Sequence, residues 1–248
     1  MLKGHNSTVN CLAVLSDNTL ASGSSDQTIK IWDSVSGQLL KTLSGHTGYV
    51  NCLAVLPNNT LASGSADKII KIWNVVNGIV LKTLEGHTDS VNCLAVLTDN
   101  TLASGSNDKT IRIWDIVDGI LLKTVNGHTG HVSSLALLPD NKLASGSGDK
   151  TIKIWDTIKG IELKTLKGHT SSVTSLAVLP NNTLASGSED KTTKIWDTIV
   201  EKVLVTLNNH TNYVKSLAVL SNNKLASGSG DNTIKIWELN IFLSGEIF

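Results

Sequence analysis

Serine, histidine and aspartate recur along the chain at spacings that could support acyl transfer. One set comprises His46, Ser63 and Asp67, and the same arrangement returns every 41 residues. A serine activated by a histidine that an aspartate orients is the machinery of many hydrolases. A catalytic set, however, is unique, faces a cleft and lies beside an oxyanion hole. Six sets that each end in a tryptophan, such as Trp73, therefore indicate a structural role.

The same period argues against metal and redox chemistry. Six of the seven histidines lie 41 residues apart, so each belongs to its own repeat and they cannot share one ion. The cysteines are Cys11, Cys52 and Cys93, and the matching positions of the later copies hold serine. A position that accepts either residue requires a small side chain and not a disulfide partner. We expect no metal, no cofactor and a reducing, intracellular location, the cytoplasm.

The charge balance limits the classes of partner. Lys and Arg total 21, as do Asp and Glu, so the formal net charge is zero. Nucleic acids and anionic lipids attract proteins with a basic surplus, so neither is expected as a partner. The sequence also shows no apolar stretch of signal-peptide length and no segment that resembles a transmembrane span.

Each repeat predicts four short strands and no helix. In the second copy the β-rich runs are residues 49–56, 61–65, 69–73 and 79–84, separated by turn residues such as those of Pro57-Asn58-Asn59. A sheet of four strands with two largely apolar faces cannot stand alone and must stack on neighbours. No residue is inserted or deleted between copies, so we expect one domain over residues 1–248. These features predict a ring of sheets.

These motifs resemble the WD-repeat family of β-propellers over about residues 4 to 238. Each copy carries Gly-His (Asn-His in the last), then Leu-Ala-Ser-Gly-Ser-x-Asp, and then Ile-Trp followed by Asp, Asn or Glu. The resemblance implies an all-β, six-bladed β-propeller of four-stranded antiparallel blades. It also implies that His, Ser, Asp and Trp of each blade form a hydrogen-bonded tetrad, with each Trp buried on the third strand.

Differences between the copies mark the positions that the scaffold does not dictate. They cluster in two turns of each repeat, and the resemblance places both turns on the top face, where partners of such propellers dock. The variable positions just after Gly-His are Thr8, Asn10, Tyr49, Asn51, Ser90, Asn92, His131, Ser133, Ser172, Thr174, Tyr213 and Lys215. The variable positions just before the aspartate are Ser25, Ala66, Asn107, Gly148, Glu189 and Gly230.

The preferred function is a non-catalytic scaffold that binds other proteins or peptides through this face. Tyr49, His131 and Tyr213 are the expected anchors because aromatic side chains give large contact areas at low entropic cost. Glu189 and Lys215 are the expected charged selectors. Drift of a solvated rim after recent duplication is the alternative explanation for the same variation.

Two further functions stay open at this stage. The chain could be the sensor or substrate-recognition propeller of a larger regulator, such as a ubiquitin-ligase receptor or an NTPase-linked receptor. A propeller enzyme is a further alternative, although no cluster of acidic or metal-binding residues at non-repeating positions supports it. The sequence leaves the partner and the oligomeric state open.

Ring closure does not follow from the repeat alone. Only three residues precede the first Gly-His, too few for a strand that could complete the last blade. A fourth strand for that blade would have to come from residues 241–248. We therefore expect the seam between the first and last blades to be the least stable part, with fast hydrogen exchange in residues 239–248.

Overall fold

The computed structural model describes residues 1–16, 18–98 and 100–239. Its regular structure is entirely β, and within each sheet strands that follow one another along the chain pair antiparallel. The strands form six sheets, one for each repeat, which confirms the predicted all-β, six-bladed β-propeller fold class. The described residues include no helix that could cross a membrane. The chain divides into two compact units, Met1–Gly127 and His128–Phe248.

The first unit contains blades 1 to 3, each a sheet of four strands in sequence order. Blade 1 consists of β1 (Val9–Val14), β2 (Thr19–Ser24), β3 (Thr28–Asp33) and β4 (Leu39–Ser44). Blade 2 consists of β5 (Val50–Leu56), β6 (Thr60–Ser65), β7 (Ile70–Asn74) and β8 (Ile79–Leu84). Blade 3 consists of β9 (Val91–Val96), β10 (Thr101–Ser106), β11 (Ile111–Asp115) and β12 (Ile120–Val125).

The second unit contains blades 4 to 6. Blade 4 consists of β13 (Val132–Leu138), β14 (Lys142–Ser147), β15 (Thr151–Asp156) and β16 (Ile161–Lys167). Blade 5 consists of β17 (Val173–Leu179), β18 (Thr183–Ser188), β19 (Thr193–Asp197) and β20 (Lys202–Leu207). The described part of blade 6 consists of β21 (Val214–Leu220), β22 (Lys224–Ser229) and β23 (Ile234–Glu238).

In blade 2 an asparagine pair sets the tight turn between the first and second strands. Asn58 and Asn59 both have positive φ angles, 57° and 55°, and the amide of Thr60 donates to the carbonyl of Pro57 at 3.3 Å. Two consecutive left-handed residues define the type I′ turn, whose twist matches that of the flanking strands. Asparagine tolerates this conformation better than most residues because its side chain bonds locally. The turn predicted from Pro57-Asn58-Asn59 is thus confirmed.

Blades stack within each unit through two complementary apolar faces. The forward face of blade 2 presents Leu56, Ala62, Ile70, Ile72 and Leu84, and these side chains are buried against blade 3. The receiving surface of blade 3, its rear face, presents Val91, Leu94, Val96, Leu102 and Trp114. The corresponding residues join blade 1 to blade 2, blade 4 to blade 5 and blade 5 to blade 6. The predicted need for each sheet to stack on a neighbour is met in this way.

One expectation about burial is wrong for the last repeat. Five of the six tryptophans are buried, but Trp237 on β23 is only half-buried. The fourth strand covers the tryptophan strand elsewhere, as where Trp73 pairs with Val80. Within the described residues no strand pairs with the outer edge of β23. The fourth strand predicted from residues 241–248, and nearly all of the segment 239–248 with its predicted fast exchange, lie outside the described residues.

Candidate functional site

The predicted tetrads are present in all six blades. In blade 2, Nδ1 of His46 lies 2.8 Å from Oδ2 of Asp67, and its Nε2 lies 2.7 Å from Oγ of Ser63. The indole nitrogen of Trp73 donates to the same serine oxygen at 2.8 Å. The equivalent distances in the other blades are 2.7–2.8 Å. The sets are His5, Ser22, Asp26 and Trp32; His46, Ser63, Asp67 and Trp73; His87, Ser104, Asp108 and Trp114; His128, Ser145, Asp149 and Trp155; His169, Ser186, Asp190 and Trp196; and His210, Ser227, Asp231 and Trp237.

The partners fix the direction of every hydrogen bond in a tetrad. In blade 3 the carboxylate of Asp108 can only accept, so Nδ1 of His87 carries the proton. Nε2 of a neutral His87 then accepts from the hydroxyl of Ser104, and the Ser104 oxygen accepts from the indole of Trp114. Each polar group thereby has a partner of the right kind. A second proton on His87 would make Nε2 a donor, and the Ser104 hydroxyl would have to turn its own hydrogen away from the histidine.

Ionisation in blade 3 agrees with this arrangement. Burial lowers the pKa of His87 below its ordinary value and outweighs the opposing effect of Asp108. Burial acts in the opposite sense on Asp108, but hydrogen bonds from the Thr110 hydroxyl, from His87 and from the backbone lower the pKa of this carboxyl to about 2. At neutral pH the pair is therefore a neutral imidazole and a carboxylate.

The same geometry shows why the tetrads are scaffold elements. The five serines of blades 2 to 6 have no solvent exposure, and each serine oxygen receives an indole N–H. A nucleophile must reach a substrate carbon, and these oxygens are enclosed between two strands. In the described residues no group of histidine, cysteine and carboxylate side chains could hold a metal ion. Burial also raises the pKa of the thiols of Cys11 and Cys93 to about 12, so both stay protonated.

The two variable turns of each repeat lie side by side, and we term them the paired turns. In blade 2 they comprise residues 47–49 and residue 66, and the amide of Ala66 donates to the carbonyl of Tyr49 at 2.9 Å. The equivalent bond, 2.8–2.9 Å long, joins the turns in every blade. The bonded pairs are Ser25 with Thr8, Ala66 with Tyr49, Asn107 with Ser90, Gly148 with His131, Glu189 with Ser172 and Gly230 with Tyr213. The structure thus brings together, blade by blade, the two variable positions predicted from the sequence.

The position after the first valine of each blade's first strand has a second role that the sequence did not reveal. The amides of Asn10 and Asn51 donate to the carbonyls of Val50 and Val91, which belong to the next blade. Ser133 and Thr174 make the corresponding bonds in the second unit. The amides of Asn10 and Asn92 also donate across the paired turns, to Ser25 at 3.0 Å and to Asn107 at 2.8 Å. Predicted contact residues therefore also tie one blade to the next. Lys215 is exposed and forms no ion pair with another described residue.

Aromatic rings at the paired turns rest against the smallest residues. A methyl group built on Gly148 would lie 2.4 Å from Cε1 of His131, and one on Gly230 would lie 2.6 Å from Cε1 of Tyr213. Tyr49 faces Ala66 across the equivalent backbone bond. All three rings are exposed, Tyr49 to 56% and Tyr213 to 41%. Where the pre-aspartate residue is larger, as with Asn107 and Glu189, the partner position holds serine.

A second exposed apolar feature was not predicted. In blades 1 to 5 the turn after the third strand carries an exposed aliphatic residue: Val35, Val76, Val117, Ile158 and Ile199. In the second unit, Ile199 lines a groove of about 430 Å³ together with Leu163, Val178 and Pro180. The search for positions that vary between repeats could not reveal this feature, because the residue is aliphatic in five of the six copies. An aliphatic residue in the middle of a predicted turn was the available signal.

Antiparallel four-stranded blades with a repeated buried tetrad define a β-propeller of the WD type. The family model described as "WD domain, G-beta repeat" matches residues 1–33, 37–74, 78–115, 119–156, 160–197 and 201–238. The chain therefore belongs to the WD-repeat family, whose fold serves in general as a scaffold for protein interactions. No curated protein matches the chain.

Among solved structures, the chain is similar to the computationally designed Ika8 protein. The two share 38% identity with a TM-score of 0.83, and the match covers 96% of this chain and 73% of that one. The name of that protein gives no ligand, so the similarity bears on the fold and not on a particular partner.

Proposed function

We propose that this chain is a non-catalytic recognition module that binds protein or peptide partners through the paired turns of its blades. The observation that carries the proposal is the set of three exposed aromatic rings, Tyr49, His131 and Tyr213, of which those of His131 and Tyr213 lie against a glycine of the adjacent turn. A ring that is already positioned loses little conformational entropy on binding. Tyrosine in particular combines a large apolar area with a hydroxyl that can hydrogen bond.

Charge adds selectivity to these anchors in the second unit. Lys215 follows Tyr213 by two residues and is exposed, and Glu189 is exposed beside Ser171, whose hydroxyl donates to it at 3.2 Å. Exposed charges at an interface contribute mainly to orientation and association rate. The formal net charge of zero supports a polypeptide partner over a nucleic acid. The three cysteines form no disulfide, and we place the protein in the cytoplasm on that basis.

Selection of binders from a displayed random-peptide library tests the proposal while the natural partner is unidentified. Peptides selected on the wild-type chain are then titrated against Tyr49→Ala, His131→Ala and Tyr213→Ala variants. We expect at least one aromatic substitution to weaken binding by about tenfold or more, as for a typical anchor residue. Because the rings are exposed, the unfolding midpoints of these variants should stay close to that of the wild type.

Val76→Ala and Ile158→Ala are the matched controls, since both residues are exposed and apolar but lie in the turns after the third strands. These two variants should bind the selected peptides as the wild type does. Peptides that lose affinity only with the controls would move the binding surface to those turns. Peptides that are indifferent to all five substitutions would overturn the proposal.

A further inference from the structure

A groove of the same construction recurs between neighbouring blades. In the first unit, one groove of about 280 Å³ lies between blades 1 and 2, and one of about 350 Å³ lies between blades 2 and 3. Their counterpart in the second unit is the groove of about 430 Å³ between blades 4 and 5. Equivalent residues line all three grooves, and between blades 1 and 2 they are Leu15, Ile31, Leu40, Lys41 and Val76. Each groove therefore combines aliphatic walls with a lysine from the fourth strand.

The lysine is the only charged side chain that the described residues contribute to the two grooves of the first unit. It is Lys41 between blades 1 and 2 and Lys82 between blades 2 and 3, and both are half-buried. Lys41 donates to the carbonyl of Val76, which uses one of its three N–H groups. Neither lysine forms an ion pair with another described residue. Since an apolar groove screens charge less than open water does, each ammonium group attracts a carboxylate more strongly than a fully exposed lysine would.

The groove between blades 4 and 5 shows where such a carboxylate fits. Glu201 occupies a position at which blades 1 to 4 carry glycine, and its Oε1 lies 3.7 Å from Nζ of Lys164. The backbone at this position is left-handed in each groove, with φ angles of 61° at Glu201, 77° at Gly78 and 75° at Gly119. The chain thus supplies one groove with a carboxylate from its own sequence and has glycine at the same place in the other two.

This place lies beside the lysine side chains of the first unit. A methyl group built on Gly78 would lie 2.9 Å from Cδ of Lys41, and one built on Gly119 would lie 3.2 Å from Cδ of Lys82. A side chain of another molecule that entered here would therefore meet the lysine from the side on which the glutamate of blade 5 lies.

We propose that the two grooves of the first unit bind a peptide segment of a partner in which an acidic side chain adjoins aliphatic ones. The carboxylate pairs with Lys41 or Lys82, and the aliphatic side chains cover the exposed walls, which include Leu40 at 49% and Val76 at 69% exposure. Burial of these walls supplies most of the affinity, and the ion pair supplies the selectivity. In the second unit Glu201 already occupies the place of the carboxylate, so that groove does not select an acidic segment. The proposal is independent of the paired turns.

A peptide selection directed away from the paired turns tests this proposal. A displayed library of random short peptides is selected on a parent chain that carries Tyr49→Ala, His131→Ala and Tyr213→Ala, and the enriched peptides are titrated against it in solution. We expect peptides that combine aliphatic residues with glutamate or aspartate. Their analogues with glutamine or asparagine in place of the acid should bind about tenfold or more weakly, because a hydrogen bond to a charged group is lost. Because the parent chain lacks the three rings, failure of this selection would count against the grooves and not against the paired turns.

Lysine substitutions in the same parent chain locate the bound peptides. Lys41→Gln with Lys82→Gln should weaken binding of the acidic peptides by about tenfold or more and leave that of their neutral analogues unchanged. Lys68→Gln with Lys109→Gln is the matched control, because it removes the same number of charges from exposed turn positions outside the grooves, where blade 1 itself carries Gln27. The control pair should bind the acidic peptides as the parent chain does.

Substitution of the two glycines separates charge from shape. Gly78→Glu with Gly119→Glu gives both grooves the carboxylate that Glu201 gives to the groove of the second unit. This pair should bind the acidic peptides about fivefold or more weakly than the pair Gly78→Gln with Gly119→Gln does. The glutamine pair has the same size and the same left-handed backbone, so the difference between the pairs measures the charge alone. Circular dichroism confirms that each variant is folded before it is compared.

Several results would overturn the proposal. One is a selection that enriches no acidic peptide, and another is acidic peptides that bind equally well after Lys41→Gln with Lys82→Gln. An equal loss in Lys68→Gln with Lys109→Gln would indicate general attraction between charges and no defined site. Equal binding to the glutamate and glutamine pairs at the two glycine positions would mean that the carboxylate lies elsewhere. Enrichment of neutral aliphatic peptides that lose affinity with Leu40→Ala would assign the grooves to an uncharged partner.

Discussion

Thr193 occupies a position at which the other five blades carry isoleucine. It lies on the forward face of blade 5 with no solvent exposure, and its hydroxyl has no hydrogen-bond partner. A buried hydroxyl without a partner costs about 1–3 kcal/mol. Replacement by isoleucine removes that cost and adds one methylene, which contributes about 0.8 kcal/mol when buried. We expect Thr193→Ile to raise the free energy of unfolding by about 2–4 kcal/mol.

The room for the larger side chain follows from the repeat. Ile152 fills the same position of blade 4 against Val173, Leu184 and Trp196. In blade 6 the positions equivalent to Val173, Leu184 and Trp196 also hold valine, leucine and tryptophan. The surface that receives position 193 of blade 5 is therefore built from the same residue types. Thr193→Val separates the two contributions, because it removes the hydroxyl while nearly preserving the volume. This variant should give the larger part of the gain.

Urea denaturation followed by tryptophan fluorescence measures the effect. At an unchanged m value, the expected gain shifts the midpoint upward by about 0.5–1.5 M. The neighbouring Thr192→Val is the matched control, because the Thr192 hydroxyl donates to Oδ1 of Asp190 at 2.6 Å. That variant should lose about 1 kcal/mol. A Thr193→Val variant no more stable than the wild type would refute the reasoning, since the hydroxyl would then have to be satisfied in the folded chain.

Three further predictions concern the buried polar groups. Ser104→Ala removes the atom that joins Trp114 to His87 and should lower the free energy of unfolding by about 2–4 kcal/mol in the same urea assay, because two buried groups lose their partner. Stability should fall as the pH drops below 6.5, the ordinary pKa of histidine, because the lowered pKa of folded His87 makes the unfolded chain bind protons more readily. Stability should fall a second time below pH 3.8, the ordinary pKa of aspartate, as the pH approaches the folded pKa of Asp108 at about 2. Thermal unfolding measured from pH 8 to about pH 2 would show both losses. Ser175→Cys should raise the urea midpoint, by a gain of about 1 kcal/mol, because the buried Ser175 hydroxyl has no partner and three other copies carry cysteine there.

Most of the scaffold could be predicted because a pattern found in one repeat could be compared with the other five repeats. The tetrad of His46, Ser63, Asp67 and Trp73 is an example, since no single copy distinguishes it from a catalytic set. Its repetition does so because an active site requires a unique environment. Strand positions were predictable for a related reason, as the turn residue Asn59 recurs at the same place in every copy and Asn58 is matched by asparagine or aspartate.

The features that escaped prediction depend on neighbours and not on the repeat. Trp237 has nearly the same local sequence as the other tryptophans, but burial of the tryptophan depends on the fourth strand of its blade, and within the described residues no strand pairs with the outer edge of β23. The variation at the position of Asn51 predicts a contact with a partner. The bond of Asn51 to Val91 could not be foreseen, because the direction of a side chain across the blade boundary is a property of the packed pair. Thr174 and Ser133 make the same bond with a hydroxyl, which explains why the position can vary at all.

The pairing of aromatic and small residues at the paired turns gives a way to separate the presence of a ring from its position. Gly148→Ala would place a methyl group 2.4 Å from Cε1 of His131, so the ring must move, and because it is exposed it can swing into solvent at little cost in stability. If a positioned ring anchors the partner, Gly148→Ala should weaken peptide binding nearly as much as His131→Ala, with an unfolding midpoint close to that of the wild type. Gly64→Ala is the contrasting variant, because its methyl group would meet Cys52 and Val91 in the core at 2.6 Å and should destabilise the blade. Full peptide affinity in Gly148→Ala together with a loss in His131→Ala would show that the ring binds without being held in place, and the entropic argument for its role would then fail.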